Sequence, residues 1–348
     1  MVGFKKTLFV AVVALVLAAC SDPAEQILTE YPTRLERVLE VDPDQESSHP
    51  AAVKHLATRP SRRDLLFALE HADINLLDFL KLNQCQLRQV VSEKNSVLGK
   101  LAQGSQYMHL ERDFLIHAPA CLRTLEDRSL AADLERVVQM KREQRMKVWW
   151  NAWVASEEFQ NLASVSVYPL APETEAHSQH TLQAFEYALR QGRQWQASDF
   201  DYRTADAEHH LRQWSLGESL GRWQVTQARL TDVLEMSIRM VQTRQRDKPL
   251  CPTGQKTRKA EIVRNVLERF YIGELQPYMS QSDRFGAILL EHLEKMSEQL
   301  GETLPEEWTL WLEQLQQSRA RFQEASRTHV QTMSRLFDRC GMSVTGPR

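Results

Sequence analysis

Two stretches of the chain repeat apolar residues at alternating spacings of four and three. In the first, residues 205–246, the series is Leu216, Leu220, Trp223, Gln227, Leu230, Leu234, Ser237 and Val241. In the second, residues 304–340, it is Trp308, Leu312, Leu315, Arg319, Phe322, Ser326, His329, Met333 and Leu336. A period of about 3.5 places each series on one face of a helix. The polar members are too many for a clean coiled-coil dimer, so both stretches are read as core helices of an intramolecular bundle. Elsewhere the spacing predicts a helix over 23–40, which Tyr31-Pro32 either starts or interrupts, and another after Ser61. Ser61 is a good N-cap with Asp64 three residues on, and Leu65, Leu66, Leu69, Leu76, Leu77 and Leu80 form that helix's apolar side. Further helices are expected over 84–103, over 106–118 with Ser105 as its cap, and over 127–155, 173–195, 257–271 and 281–300. Pro43, Pro50 and Pro60 mark a linker over 41–60, Gly104 a break, and Pro277 and Pro305 later ones. Only Val165-Ser166-Val167 alternates like a strand, and no period of 20–50 residues repeats. The expected fold is an all-α, elongated bundle of about eight to ten helices.

The N-terminus changes the picture of where this bundle sits. Lys5 and Lys6 precede an apolar run of 12 residues, Leu8 to Ala19. That is the order of a secretory signal. As a helix the run reaches about 18 Å, short of the roughly 30 Å needed to span a bilayer. Leu17-Ala18-Ala19-Cys20 resembles the lipobox of bacterial lipoproteins. The resemblance implies cleavage before Cys20 and a thioether-linked diacylglycerol on its sulfur. It divides the chain into a signal peptide (1–19), a lipidated N-terminus with the first helix and the Pro-rich linker (20–60), and the bundle domain (61–348). Ser21 favours the outer membrane, periplasmic face, over the inner membrane, with Asp22 as the opposing signal.

Composition adds constraints rather than an activity. Few glycines, 12 in 348 residues, suit helices. The formal charge of −3 leaves no basic surplus for nucleic acid. With Cys20 lipidated, Cys85, Cys121, Cys251 and Cys340 remain in an oxidising compartment. Three connectivities are open. Cys85–Cys121 and Cys251–Cys340 are favoured because each would staple neighbouring helices. No C-x-x-C is present.

Several patterns bear on chemistry. Gly217-Glu218-Ser219-Leu220-Gly221 matches G-x-S-x-G, but a nucleophile elbow needs a strand before the serine. Helical spacing on both sides favours a steric role for Gly217 and Gly221. His177 and His180, with Glu173 and Glu175, and Asp206 and His209, with Glu208 and His210, have helical i, i+3 spacing for metal ligands. Solvated helix faces and caps are the simpler reading. Glu46–His49, the one strict Glu-x-x-His, falls in the linker. No cofactor motif is found. Trp149 and Trp153, beside Trp150, read as core, with a stacking platform for a peptidoglycan fragment as the alternative. Arg244, Arg246, Lys248, Lys256, Arg258 and Lys259 surround Cys251 with positive charge, a solvated loop or a contact for anionic headgroups or cell-wall polymer.

Val91-Ser-Glu-Lys-Asn-Ser-Val-Leu-Gly-Lys100 and Gly104-Ser105-Gln106 resemble an uncharacterised family of proteobacterial lipoproteins, a domain of unknown function. The matched residues are Glu93, Asn95, Ser96, Leu98, Gly99, Ser105 and Gln106, with the lipobox, Tyr31, Arg34, Leu35, Cys85 and Cys121 also in place. The resemblance implies no reaction, so no catalytic residue carries over. Physically, Glu93, Asn95, Ser96 and Gly99 read as a tightly packed, kinked helix turn, or else as a small ligand pocket. The functional expectation is a non-catalytic envelope interaction or scaffold protein, held to the membrane by Cys20, with an envelope protein or cell-wall partner. The alternative is a binding module for a peptidoglycan fragment or lipid. A serine hydrolase at Ser219 comes last.

Overall fold

In a computed structural model of the chain, residues 22–41, 56–70, 82, 85–172, 175–301 and 304–343 are described, and the side chains of 175–178 are not. The lipobox with Cys20, Glu46 and His49, Pro43 and Pro50, Leu76, Leu77 and Leu80, Glu173, and the side chains of Glu175 and His177 lie outside this set. Among the described residues every regular element is helical, as the periodicity predicts. In chain order these are α1 (Pro23–Leu39), α2 (Arg62–Leu65), α3 (Leu87–Asn95), α4 (Val97–Leu101), α5 (Gly104–Leu122), α6 (Arg128–Glu143) and α7 (Arg145–Trp153). They continue with α8 (Glu157–Leu162), α9 (Glu175–Ala197), α10 (Thr204–Ser215), α11 (Ser219–Asp247), α12 (Arg258–Val266), α13 (Gln276–Leu300) and α14 (Glu306–Asp338).

Local chemistry sets the ends, and it moves several expected boundaries. The Asp22 carboxylate accepts from the Ala24 amide, Pro23 opens α1, and Pro32 sits inside it. Ser61 and Asp64 form the anticipated capping box, but α2 ends at Leu65. Residues 66–70 then run without helix beside α7, and Leu66 is half exposed. Their backbone bonds go to side chains instead. Asn151 binds the N–H and C=O of Phe67, and Gln144 binds those of Glu70. The helix expected over 127–155 breaks at that same Gln144, between α6 and α7. α5 begins at Gly104, whose φ is +54°, so Ser105 is not its cap. Val165 and Val167 belong to a loop, not a strand. Pro277 does not break the chain, because a π-helical stretch, Leu267–Leu275, joins α12 to α13 without interruption. The wider turns, with Gln276 N–H donating to the Tyr271 carbonyl, absorb a residue that has no N–H of its own.

The two seams organise the packing. Leu220, Trp223, Gln227, Leu230, Leu234, Ser237 and Val241 on α11 are buried, and only Leu216, ahead of the helix, is exposed. α11 and α14 pack along each other and pass through two cores. The first core gathers α7–α10 and the near parts of α13 and α14 around all eight tryptophans, each under 2% exposed. Trp150 meets Trp308 edge-on at 5.0 Å, and Trp153 meets Trp214 at 5.2 Å. Gly286 lies flat under Trp223, where a Cβ would come within 2.1 Å of the indole nitrogen. Trp149 and Trp153 donate to the Ala188 carbonyl and to Gln191, so neither ring offers a face to a ligand.

The second core is made by α1, the later halves of α11 and α14, and the stretch from α12 into α13. α1 contributes Leu28, Tyr31, Leu35 and Leu39, all at most 1% exposed, at about 2 kcal/mol of burial each. Residue 61 is therefore not a packing boundary: the segment separated off as 20–60 supplies a core helix. Glu25 pairs with Arg229, and Glu40 with Arg244 and Lys259. Equal lengths of α1 and α11 separate the two pairs, so α1 runs parallel to α11. A third, smaller cluster joins α3, α5 and α6. Cys85–Cys121 closes this cluster, and Cys251–Cys340 ties the loop after α11 to the end of α14, each with Cα atoms 5.2 Å apart. In the chain-entropy picture each bridge stabilises by about 4 kcal/mol.

Inside the second core, Tyr31 Oη and His329 Nε2 share a 2.8 Å hydrogen bond, and the Tyr271 ring lies 4.4 Å from the imidazole. Burial pushes His329 down to about 4. An unfolded histidine titrates near 6.5. The unfolded chain therefore takes up a proton first as pH falls, and stability is lost between about 6.5 and 4, by roughly 3 kcal/mol for this residue. Urea denaturation at pH 7 and pH 4 should show that loss. In His329→Gln, which keeps an acceptor for Tyr31 but cannot titrate, the drop over this range should shrink by about that amount.

Candidate functional site

The matched sequence motif falls at the junction of α3 and α4. Ser96 ends α3 by donating its hydroxyl to the Glu93 carbonyl (2.7 Å) and begins α4 by accepting from the Gly99 amide (3.0 Å). Gly99 packs on the backbone of the preceding helix, where a Cβ would stand 2.1 Å from the Glu93 carbonyl oxygen. The junction is thus kinked at Ser96, with close backbone approach at Gly99. The Glu93, Asn95 and Ser96 side chains point to solvent. The break throws α4 outward, leaving Val97, Leu98 and Leu101 exposed at 77%, 81% and 70%. No residue of α4 is buried.

What fixes this turn is Lys94, a residue the sequence reading passed over. Its ammonium reaches Glu111 on α5, and the other Glu111 oxygen takes Lys141 from α6. Glu111 is 1% and Lys141 3% exposed. Tyr107 adds its ring at 5.1 Å from the Lys94 nitrogen, and Phe114 stands 5.0 Å from that of Lys141. Burial pushes the Glu111 carboxyl up, but the two ammonium groups outweigh it and hold it below the usual carboxylate range. Burial lowers Lys141 to about 8, with Glu111 resisting. The triad thus clamps three helices. A sequence signal for it did exist. Lys94 follows Val90 and Val91 on the buried side of α3, Glu111 lies between Met108 and Leu115, and Lys141 extends the stripe of Leu134 and Val138. Charged residues at stripe positions call for partners.

The opposite side of α5 carries a second polar cluster, and here the candidate metal ligands disperse. Glu208 turns to His109 at 3.2 Å. His210 stacks on Tyr187 at 4.4 Å, and His209 meets the His210 ring edge-on. Arg112 donates to the Tyr202 carbonyl and lies over the Tyr202 ring. Burial lowers both His109 and His210, which favours neutral packing rings. His180 is exposed. Among the described residues, no three His, Cys, Asp or Glu side chains converge to hold a metal. Nearby, a groove of about 540 Å³ is lined by Leu115, Ile116, Pro119, Arg142 and Phe200 among others; it does not include the motif.

The remaining candidates take ordinary structural roles. Ser219 is the first residue of α11 and accepts from the Thr181 hydroxyl at 3.1 Å, with no strand before it. Gly221 does serve close packing: its Cβ would overlap the Ser164 carbonyl at 1.6 Å, whereas a Cβ on Gly217 would make only an ordinary contact with the Ser219 hydroxyl, at 3.8 Å. Four of the six basic residues around Cys251 are paired within the fold. Arg244 and Lys259 go to Glu40, Lys256 to Glu261 and Arg246 to Asp247. Glu40 is held below the ordinary carboxylate value chiefly by its hydrogen bond to Lys259.

A family model described as a protein of unknown function (DUF3080) matches residues 28–344, from within α1 to the last described turn, and the chain belongs to that family. No curated protein and no solved structure matches it.

The clamp has a measurable signature. Glu111→Gln leaves the buried Lys141 ammonium and the half-buried Lys94 ammonium without their carboxylate and should cost about 3 kcal/mol in chemical denaturation. Replacing the triad together, by Lys94→Met, Glu111→Leu and Lys141→Met, should recover most of that loss, because no charge is then stranded.

Proposed function

For this member of an uncharacterised family we propose a lipid-anchored, non-catalytic interaction or scaffold protein on the periplasmic face of the outer membrane. The carrying observation is the α4 turn. Three large apolar side chains stand 70–81% exposed on a segment that Gly99 and the Lys94–Glu111–Lys141 clamp hold in place. Scattered exposed apolar residues are ordinary on a monomer, but neighbouring ones held together in one short helix form a patch of the kind that another molecule meets, and a largely buried three-helix ion clamp is a costly way to hold a turn that contacts nothing. The family motif and lipobox belong to the same reading: the motif shapes the contact, and Cys20 sets the compartment. No helix among the described residues is long and apolar enough to cross a membrane. The partner is an envelope protein or a cell-wall component. The binding-module alternative loses its aromatic platform, since Trp149 and Trp153 are fully buried.

Two measurements test the reading. Labelled palmitate should enter the wild-type protein and leave Cys20→Ser unlabelled, with the wild type in the outer-membrane fraction and the variant soluble. A photo-crosslinking residue at Leu98 should give one reproducible adduct in intact envelopes, lost when Val97 and Leu101 are changed to Asp. A scatter of abundant periplasmic proteins at Leu98 would count against a specific contact.

A further inference from the structure

We infer that the loop 163–172 lies against the bilayer leaflet that receives the lipid on Cys20, a contact that rests on the anchor proposed above. Residues 163–172, which follow α8, contain no Asp, Glu, Lys or Arg; Glu173 comes next in the chain. They expose Val165 at 52%, Val167 at 81% and Tyr168 at 55%. Leu216, 68% exposed, stands in the turn before α11, a little over one helical turn from Gly221, which seats the loop.

These side chains are displayed by a fixed backbone. Ser164 is pressed onto Gly221. The buried Ser166 hydroxyl accepts from the Tyr168 amide at 3.1 Å, turning Val167 and Tyr168 outward. Leu170 is pinned on both sides: its amide donates to Thr226 on α11 at 2.8 Å, and its carbonyl accepts from Tyr278 on α13 at 2.6 Å.

The occupant follows from where α1 begins. Thr226, which holds the loop, and Arg229, which holds Glu25 in the first turn of α1, are one helical turn apart on α11. Tyr278, bonded to Leu170, feels the charges of both Asp22 and Glu25. α1 runs parallel to α11, so its N-terminus points toward the end of α11 that carries Gly221 and the loop. Cys20 precedes Pro23 by three residues, which reach at most about 11 Å in any conformation. The lipid therefore leaves the protein beside residues 163–172. Apolar residues with a tyrosine suit the headgroup and acyl boundary, and their burial adds to the hold of the acyl chains. The loop would also fix how the bundle stands on the membrane.

The test uses the full lipidated protein in vesicles of phosphatidylethanolamine and phosphatidylglycerol. A polarity-sensitive fluorophore is attached at Val167→Cys or, as the control, at Gln242→Cys, about 24 Å further along α11 than Thr226. Circular dichroism and flotation of each labelled protein establish folding and anchoring first. The inference expects blue-shifted emission and quenching by nitroxide-bearing acyl chains at position 167, with neither at 242. Emission at 167 as aqueous as at 242, in protein that floats with the vesicles, overturns the loop contact and leaves the anchor standing. Protein that does not float at all overturns the anchor reading itself. Shielding at 167 that needs no vesicles and grows with protein concentration assigns the loop to a second copy instead and also overturns the inference.

Discussion

The seating of α1 along α11 is the constraint on which the second half of this structure depends. Three contacts set it. Arg229 and Glu25 form a paired-oxygen ion bridge at the first turn. Tyr31 meets His329 in the middle. Glu40, in the left-handed conformation that ends the helix, takes Arg244 and Lys259 at the far end. Between them the apolar stripe of α1 fills a core that α11, α12 and α14 would otherwise leave open. An exposed ion pair would contribute little, but each of these stands beside buried apolar surface and fixes register more than it adds energy. One of these contacts, Glu40, also draws in Arg244 and Lys259, two of the six basic residues around Cys251, so part of what reads in sequence as a basic loop belongs to an internal electrostatic seam.

The seams of α11 and α14 were legible because their period survives the polar substitutions. The structure also explains those substitutions. Gln227 donates to Ser282 across the interface, His329 meets Tyr31, and Arg319 reaches Asp283. These three polar members sit at seam positions where another helix supplies their partner, while Ser237 donates back to the Val233 carbonyl of its own helix; no dimer is needed to satisfy them. Both disulfides were legible for a related reason: their cysteines fall at helix ends that a bundle brings together.

What escaped the sequence depends on partners far away in the chain. Nothing local to Gln144 says that its amide will bind the backbone of Glu70, or that the helix will break there; Asn151 and Phe67 repeat the pattern. Just beyond Leu65, the backbone of Phe67 and Glu70 is bonded by the side chains of Asn151 and Gln144 instead of continuing the helix, and tertiary bonding overrides propensity there. Pro277 reads as a stop because its cost in a regular α-helix is large; a π-helical segment removes that cost and leaves no trace in composition. Lys94 was hidden differently. It stood between motif residues that face solvent and was read with them, although its spacing from Val90 and Val91 places it on the inner face.

The two exposed apolar features are held in place by different means, and the difference bears on what they do. The loop 163–172 is tied to α11 and α13 by main-chain hydrogen bonds, on the same stretch of α11 that orients α1. Its geometry is therefore coupled to the direction in which a lipid at Cys20 would leave. The α4 turn is tied instead to α5 and α6 through the Glu111 clamp and the Cys85–Cys121 cluster, which among the described residues includes none from α1. A surface meant for the membrane gains from sharing a frame with the anchor. A surface meant for a partner gains from independence of it, because the partner can then be met whatever the bundle's tilt. Charged residues buried at the clamp, where leucine would pack more cheaply, fit that second role. Opposed charges on three helices specify one arrangement of the α4 turn, and specificity of arrangement is what an interaction surface requires.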